Sequence, residues 1–270
     1  MLKFEILLSC MNLGDEDIIS RSGITSDTLI VNQCGKDGYD EYTRGNSRIR
    51  VFSVNARGLT KSRNFAIEHS DADICLLCDD DEVFSDSCER DIITAYEKLP
   101  EADIIIFDIE NHPAKWGKEI KKLGARDIMS VSSWQISFRR ESLLKAEIRF
   151  DENMGAGTPN GAEEEFKFLT DCRKAGLCIY YYPAVIASVA QEQSTWFSGF
   201  DEKFFINRGN TTRYIMGLPL SVAYAFYYTF TKRKKISADM KWTRAFRLTL
   251  KGIRENRLTK LKEKQNGKNT

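Results

Sequence analysis

Short apolar runs, separated by polar stretches of helical length, recur through the first 190 residues. KFEILLSC (3–10), DTLIVNQC (27–34), DADICLLC (71–78) and ADIIIFDIE (102–110) are nearly continuous in apolar character and predict strands buried on both faces. RIRVFSV (48–54) alternates and predicts a further strand. Between them, residues 17–22 predict a short helix, TKSRNFAIEH (60–69) a helix opening just after Gly58, and residues 86–98 an amphipathic helix. Later, SSWQISFRR (132–140) predicts a strand, and EEEFKFLTDCRKAG (163–176) a helix closed by Gly176. CIYYYPAVIASVA (178–190) predicts a strand around Pro183. Strands alternating with helices predict an α/β fold with a largely parallel sheet covered on both faces. No internal repeat or long low-complexity segment interrupts the pattern.

The pattern changes after residue 212, so residues 1–212 form one predicted domain and 213–270 an extension. YIMGLPLSVAYAFYYTF (214–230) carries no charge over 17 positions, contains Gly217 and Pro219, and runs into TKRKK. That length is the lower limit for a membrane span, and the tyrosines suit an interface. Lying in the interface, packing on the domain and spanning all remain open. In residues 241–264, Trp242, Phe246, Leu250, Ile253, Leu258 and Leu261 recur at near-helical spacing among basic residues. This is the pattern of a basic amphipathic helix on an anionic membrane; the alternative is a helix docking its apolar stripe on the first domain.

Composition bounds the chemistry. With 270 residues, 42% apolar and 29% charged, the chain can build one large α/β domain with an appendage. The net charge of +1 conceals a division: residues 232–270 hold 14 Lys+Arg against 3 Asp+Glu, a net of +11, leaving −10 for the rest. Such segregation points to an anionic partner for the tail. The opening MLKFEILLSC is too short an apolar run for a secretory signal, so no export is expected. Seven cysteines, an odd number, are expected to be reduced thiols. Cys75 and Cys78 form a lone CxxC inside a predicted buried strand, which argues against zinc or redox work. Two histidines, His69 and His112, leave little scope for a Ser-His-Asp triad or a multi-histidine metal site.

Three polar clusters carry candidate chemistry. CDDDE (78–82) lies at the carboxyl end of a predicted parallel strand, where ligands bind in open α/β sheets. If the extended backbone continues, Asp79 and Asp81 point one way and Asp80 the other. Such a pair suits Mg²⁺ or Mn²⁺ shared with phosphate oxygens and water, whereas the glycine and final glutamate of an EF-hand are missing. The plainer alternative is a set of acids capping the helix opened by Ser85 and Asp86. RGLTKSRN (57–64) sets Arg57, Lys61 and Arg63 around a helix start, as an anion site or an ordinary basic turn. NGAEEEFKFLTD (160–171) puts three glutamates at a helix start, where they favour the helix dipole or supply a general base.

In order and spacing, LIVNQC, GLTKSRN, CDDDE and GAEEE resemble glycosyltransferase family 2, which has the GT-A fold. RFDENMGAG (149–157) is similar to the family's segment before the catalytic base, and the resemblance covers roughly residues 3–190. It implies a Rossmann-like, mostly parallel sheet with flanking helices. It also implies that Asp79 and Asp81 form the Asp-X-Asp motif, with Asp81 the metal ligand, Asp79 near metal and ribose, and Asp80 in the X position on the donor side. Arg63 would meet the donor diphosphate, Glu164 would be the base, Glu163 would assist it, and Glu165 would face solvent. Asn32 and Gln33 end the nucleotide-contacting strand, where the family usually has an aspartate pair.

The implied cofactors are a divalent cation (Mn or Mg) and a nucleotide-sugar donor, a UDP-sugar. The implied reaction is inverting transfer of a sugar to a hydroxyl of a saccharide or polyprenyl-linked acceptor in polysaccharide biosynthesis. The implied setting is cytoplasmic and peripheral at the inner face of the cell membrane, through residues 213–264, without nucleic acid. Trp134 would stack on a sugar face or fill the core. A nucleotidyltransferase would carry a glycine-rich loop after the first strand, where this chain reads SCMNLGDED. A binding module with a nucleic-acid-binding tail would leave the acidic clusters without a role.

Overall fold

The computed structural model describes residues 2–13, 18–113, 115–189 and 199–266. The chain divides into two compact units, Met1–Gln193 and Ser194–Thr270.

In the first unit, the apolar runs form a sheet because their backbone groups are satisfied only by neighbouring strands once water is excluded. Its strands are β1 (Phe4–Met11), β2 (Thr28–Gln33), β3 (Gly38–Arg44), β4 (Ser47–Val54), β5 (Ile74–Cys78), β6 (Glu82–Phe84), β7 (Ile104–Ile109), β8 (Lys121–Lys122), β9 (Ile136–Arg139) and β10 (Ile179–Val189). Their order is β3-β4-β2-β1-β5-β9-β7-β10-β6, with β8 on β10. Strands β4, β2, β1 and β5 are parallel neighbours, and β7 and β10 share their direction. The sheet is therefore mixed and mostly parallel, as expected. Helices α1 (Ile18–Arg21), α2 (Leu59–His69), α3 (Cys88–Lys98), α4 (Arg140–Lys145) and α5 (Glu164–Lys174) flank it. Asp17 and Ala190, at the ends of two predicted elements, lie outside the described residues.

Alternate residues feed two cores. Ile6, Leu8, Leu76, Ile105 and Phe107 pack on one face of the sheet, and Leu7, Leu29, Leu77, Ile104 and Ile106 on the other. Cys75 and Cys78, three apart along β5, point to opposite faces and cannot join one metal or one disulfide. Burial pushes the Cys75 thiol up to about 12.

Three local features depart from the sequence reading. Residues 132–140 are not one strand: Ser133–Gln135 form a 3₁₀ turn before β9. The polar side chains cause it, since the Ser132 N–H donates to Gln135 Oε1 (3.1 Å) and Gln135 Nε2 donates to the Phe107 carbonyl (3.0 Å). Strand β3 is exposed along its whole length and pairs antiparallel with β4. Strand β6 starts inside the acidic run and pairs antiparallel with β10.

The second unit is helical: α6 (Glu202–Met216), α7 (Leu218–Thr231), α8 (Arg233–Ile236), α9 (Trp242–Glu255) and α10 (Arg257–Asn266). The uncharged run is split at Gly217, whose φ of 78° ends α6 before α7 begins with Pro219 in its first turn. At 14 residues, α7 is about 21 Å long, short of the ~30 Å hydrocarbon thickness. Among the described residues, no helix is long and apolar enough to cross a membrane.

The predicted amphipathic segment 241–264 is split at Asn256 into α9 and α10. On α9, Ala245, Thr249, Gly252 and Ile253 are buried within the helical unit, and Trp242 meets Phe226 and Phe230 edge-on. Helices α6 and α9 cross at bare backbone. A Cβ on Gly209 would lie 2.1 Å from the Thr249 carbonyl oxygen, and one on Gly252 would lie 2.0 Å from that of Ile206. Gly252→Ala is therefore expected to force the helices apart and destabilise this unit by about 1–3 kcal/mol or more, read as a lower midpoint in denaturant followed by circular dichroism.

Candidate active site

The site begins where β5 leaves the sheet. Residues 80 and 81 turn instead of continuing extended, so strand alternation does not relate Asp79 to Asp81. The turn is held by Glu82, whose Oε1 accepts the Asp79 N–H at 2.8 Å. Glu82 is fully enclosed, and burial, reinforced by the Asp79 charge, pushes its carboxyl well above the usual range. Strand β6 also separates the acids from α3, which starts at Cys88, so the run does not cap a helix.

Opposite the turn, α2 delivers Arg63. The three basic residues are divided: Arg57 and Lys61 are exposed, while Arg63 is 1% exposed. Its Nη2 donates to both oxygens of Asp79 (3.0 and 3.2 Å), and its Nη1 lies 3.3 Å from Glu165 Oε1 and 3.6 Å from Glu164 Oε1. Its Cζ sits 5.5 Å from the Phe150 ring centroid, and Phe150 stacks on Phe168 of α5. Burial works against the guanidinium charge, but Asp79, Glu165 and Glu164 together outweigh it. Arg63 thus faces carboxylates, not an open diphosphate site.

The glutamates stand at the start of α5. Glu163, the residue before the helix, has φ 69° and ψ 19°, a left-handed conformation uncommon for a side chain of its length. Glu164 is buried, and burial together with the Glu165 charge, opposed by Arg63, pushes its carboxyl up to about 8. Glu165 pairs with Arg63, so the expectation that it faces solvent is corrected. Gly155, at φ 91°, makes room for this: a Cβ there would meet Thr60 Cγ2 at 2.9 Å and the Glu164 carboxyl carbon at 3.3 Å.

The stretch carrying Gly155 is fastened to α2. Asn64 accepts the Phe150 N–H (2.8 Å) and donates to its carbonyl (3.0 Å). Thr60 Oγ1 donates to the Met154 carbonyl (3.1 Å), and the Leu59 N–H to that of Ala156 (3.2 Å). Asn32 and Gln33, expected to face the nucleotide, spend their side-chain carbonyls on backbone: Asn32 accepts the Leu13 N–H (2.9 Å) and Gln33 the Gly58 N–H (2.7 Å).

Among the described residues, no group of three or more Asp, Glu, His or Cys side chains is placed to hold a metal ion. Asp79 is committed to Arg63, and its Oδ2 also accepts from Ser133 (3.0 Å). Asp81 differs, with Oδ1 buried and without a hydrogen-bond partner. Burial, then the charges of Asp79 and Asp80, raise its pKa. An orphaned hard oxygen in a field of negative charge fits a divalent cation that takes one protein carboxylate and completes its shell from phosphate and water. Asp80 is raised in the same way, by burial and then by Asp79.

On the Ser133 side of Asp79, the sequence neighbours Ser132 and Trp134 line a pocket of about 180 Å³ with His112, Trp116 and Gln135. Trp134 stacks on His112 (5.7 Å), and its indole nitrogen is buried without a hydrogen-bond partner. Sequence reasoning quoted the stretches that hold Glu82, Ser133 and Gly155 but gave none of the three a role of its own. Glu82 stood in the acidic run and Gly155 in the GAG of RFDENMGAG, whereas nothing marked Ser133.

Residues 18–159 match the family model described as Glycosyl transferase family 2. No curated protein matches the chain. Among solved structures, TarS of S. aureus is similar at 14% identity and a TM-score of 0.56; the alignment covers 83% of this chain and 40% of that one. TarS 1–349 in complex with UDP-GlcNAc has 12% identity and a TM-score of 0.57, covering 93% of this chain and 72% of that one. The same fragment in complex with UDP has 12% identity and a TM-score of 0.60, covering 89% and 76%. At these identities the likeness is one of fold, and the alignment spans 40% of the first of these TarS chains.

Replacing Arg63 by methionine would leave Asp79, Glu164 and Glu165 facing one another without a cation. The expected loss is about 3–5 kcal/mol in urea unfolding at neutral pH.

Proposed function

The chain belongs to glycosyl transferase family 2, and from that premise we propose that it transfers a sugar from a UDP-sugar to a hydroxyl of a saccharide or lipid-linked saccharide, with inversion at the anomeric carbon. One observation carries this reading: a single buried guanidinium, Arg63, bridges the strand-end acid Asp79 and the helix-start acid Glu164. A carboxylate for the donor side and a base for the acceptor thus share one wall. The fold likeness to TarS, solved with UDP and with UDP-GlcNAc, supports the choice of donor. Family membership also sets this reading above nucleotidyl transfer.

Glu164 is the general base. Its carboxylate takes the proton of the acceptor hydroxyl while that oxygen's electron pair bonds to the anomeric carbon. The bond to the nucleotide diphosphate breaks on the opposite face, and no covalent enzyme intermediate forms. With its pKa raised to about 8, Glu164 is a stronger base than an ordinary carboxylate once it has lost its proton. Arg63 acts as a positioning residue, aligning Glu164 and limiting the rise in its pKa. Glu163 sets the turn that brings Glu164 inward. Asp81 would hold a divalent cation, which when bound supplies Lewis-acid neutralisation of the leaving diphosphate. The pocket beside Ser133, with Trp134 on its wall, receives a sugar ring of the acceptor.

Calorimetry with UDP tests the donor side: Mn²⁺-dependent binding is expected, and Asp81→Ala should abolish the dependence. UDP that fails to bind with or without Mn²⁺ removes the reading. For the base, kcat/KM should rise with pH and level off above about 8, because only the deprotonated Glu164 accepts a proton. Glu164→Gln should lower kcat by roughly 10²–10⁴-fold with UDP affinity retained. An unchanged rate in that variant would assign the base elsewhere.

A further inference from the structure

Helix α7 is turned inside out for a helix of a water-soluble bundle. Such helices bury their large apolar side chains and expose the small and polar ones. In α7 the buried stripe is Ser221, Ala225 and Thr229. The hydroxyls tolerate burial because each bonds back into its own helix, Ser221 to the Leu218 carbonyl (2.9 Å) and Thr229 to that of Ala225 (2.8 Å). The exposed side carries Leu218, Leu220, Val222, Phe226, Tyr227 and Phe230, of which Leu220 and Tyr227 are 64% and 63% exposed. Six large apolar side chains along one helix form a patch that marks an interaction surface.

Charge identifies the occupant. Residues 232–235 are Lys, Arg, Lys and Lys, all exposed, directly at the end of the patch. The Arg233 guanidinium lies 4.5 Å over the Phe230 ring, placing a cation at the apolar edge. Residues 213–238 contain no Asp or Glu. A symmetric contact between two copies sets this patch against itself, so neither copy would supply acids for those cations. Lipid phosphates would. We propose that the exposed face of α7 docks on the surface of an anionic lipid bilayer, with its apolar side chains among the headgroups and residues 232–235 on lipid phosphates. At about 21 Å, the helix lies along the surface and does not cross it. The element immersed is α7, whose large apolar side chains are exposed, whereas on α9 Trp242, Phe246 and Leu250 are half-buried and Ile253 is buried.

The test sediments the full chain with vesicles of phosphatidylcholine alone or mixed with phosphatidylglycerol, with no donor or acceptor present. Its outcome is therefore independent of the sugar-transfer reading. Binding to the mixed vesicles is expected, weakened by salt and roughly tenfold or more lower in the double variant Leu220→Glu, Tyr227→Glu. These are the two most exposed of the six side chains, and an unchanged circular dichroism spectrum would establish that the fold survives. Lys234→Glu with Lys235→Glu should weaken binding and flatten its salt dependence. Failure to bind the mixed vesicles, equal binding to both vesicle types, or full binding by the Leu220/Tyr227 variant would each overturn the proposal. So would a dimer in sedimentation equilibrium that the same variant dissociates, since the face would then belong to a second copy.

Discussion

A single buried cation organises the first unit's chemistry. Arg63 is enclosed by protein and surrounded by Asp79, Glu164 and Glu165. Taking a guanidinium out of water is unfavourable unless charge and hydrogen bonds replace the water, and here three carboxylates do so. One positive charge cannot neutralise three negative ones. Burial of Glu164, the most deeply buried of the three, raises its proton affinity, and the Glu165 charge adds to the rise while Arg63 opposes it. The ion cluster is thus also the means by which a glutamate becomes a base fitted to neutral or mildly alkaline solution.

The same accounting explains how four consecutive acids coexist. Asp79 is neutralised by Arg63, and Glu82 is held buried with its proton affinity far above normal. Asp80 and Asp81 keep the unresolved repulsion, and Asp81 has an oxygen with no partner. The acids are neither a helix cap nor a uniformly solvated loop. Asp79 pairs with Arg63, Asp80 and Asp81 form the turn, and Glu82 is buried beyond it.

Much of this was legible in the residues. Apolar runs predicted the central strands because parallel strands buried on both faces admit little else. The clusters that hold Arg63, Asp79 and Glu164 stood out from residue type and spacing, and the resemblance to glycosyltransferase family 2 singled out those three within them. What escaped reading depended on contacts distant in sequence or on ambiguous local pattern. GYDEYTR has no apolar face, so nothing in it distinguishes the edge strand β3 from a loop. The turn at residues 80–81 depends on β6 pairing with β10, about a hundred positions away. Gln33 resembles a ligand contact in sequence and serves as a backbone clasp in the fold. In the helical unit, an all-apolar stretch does not disclose which side faces inward; Ser221, Ala225 and Thr229 at four-residue spacing held that information.

The pairing of β6 with β10 bears on how the protein is made. Arg63 and Asp79 leave the ribosome close together, but Glu164, Glu165 and β10 follow only about a hundred residues later. Until then the acidic turn has no strand to lie against, and Arg63 lacks two of its three counter-charges. Contacts closed over such separations form slowly. The N-terminal half of the sheet must therefore wait, unfinished at its chemically active edge, for partners still to be translated.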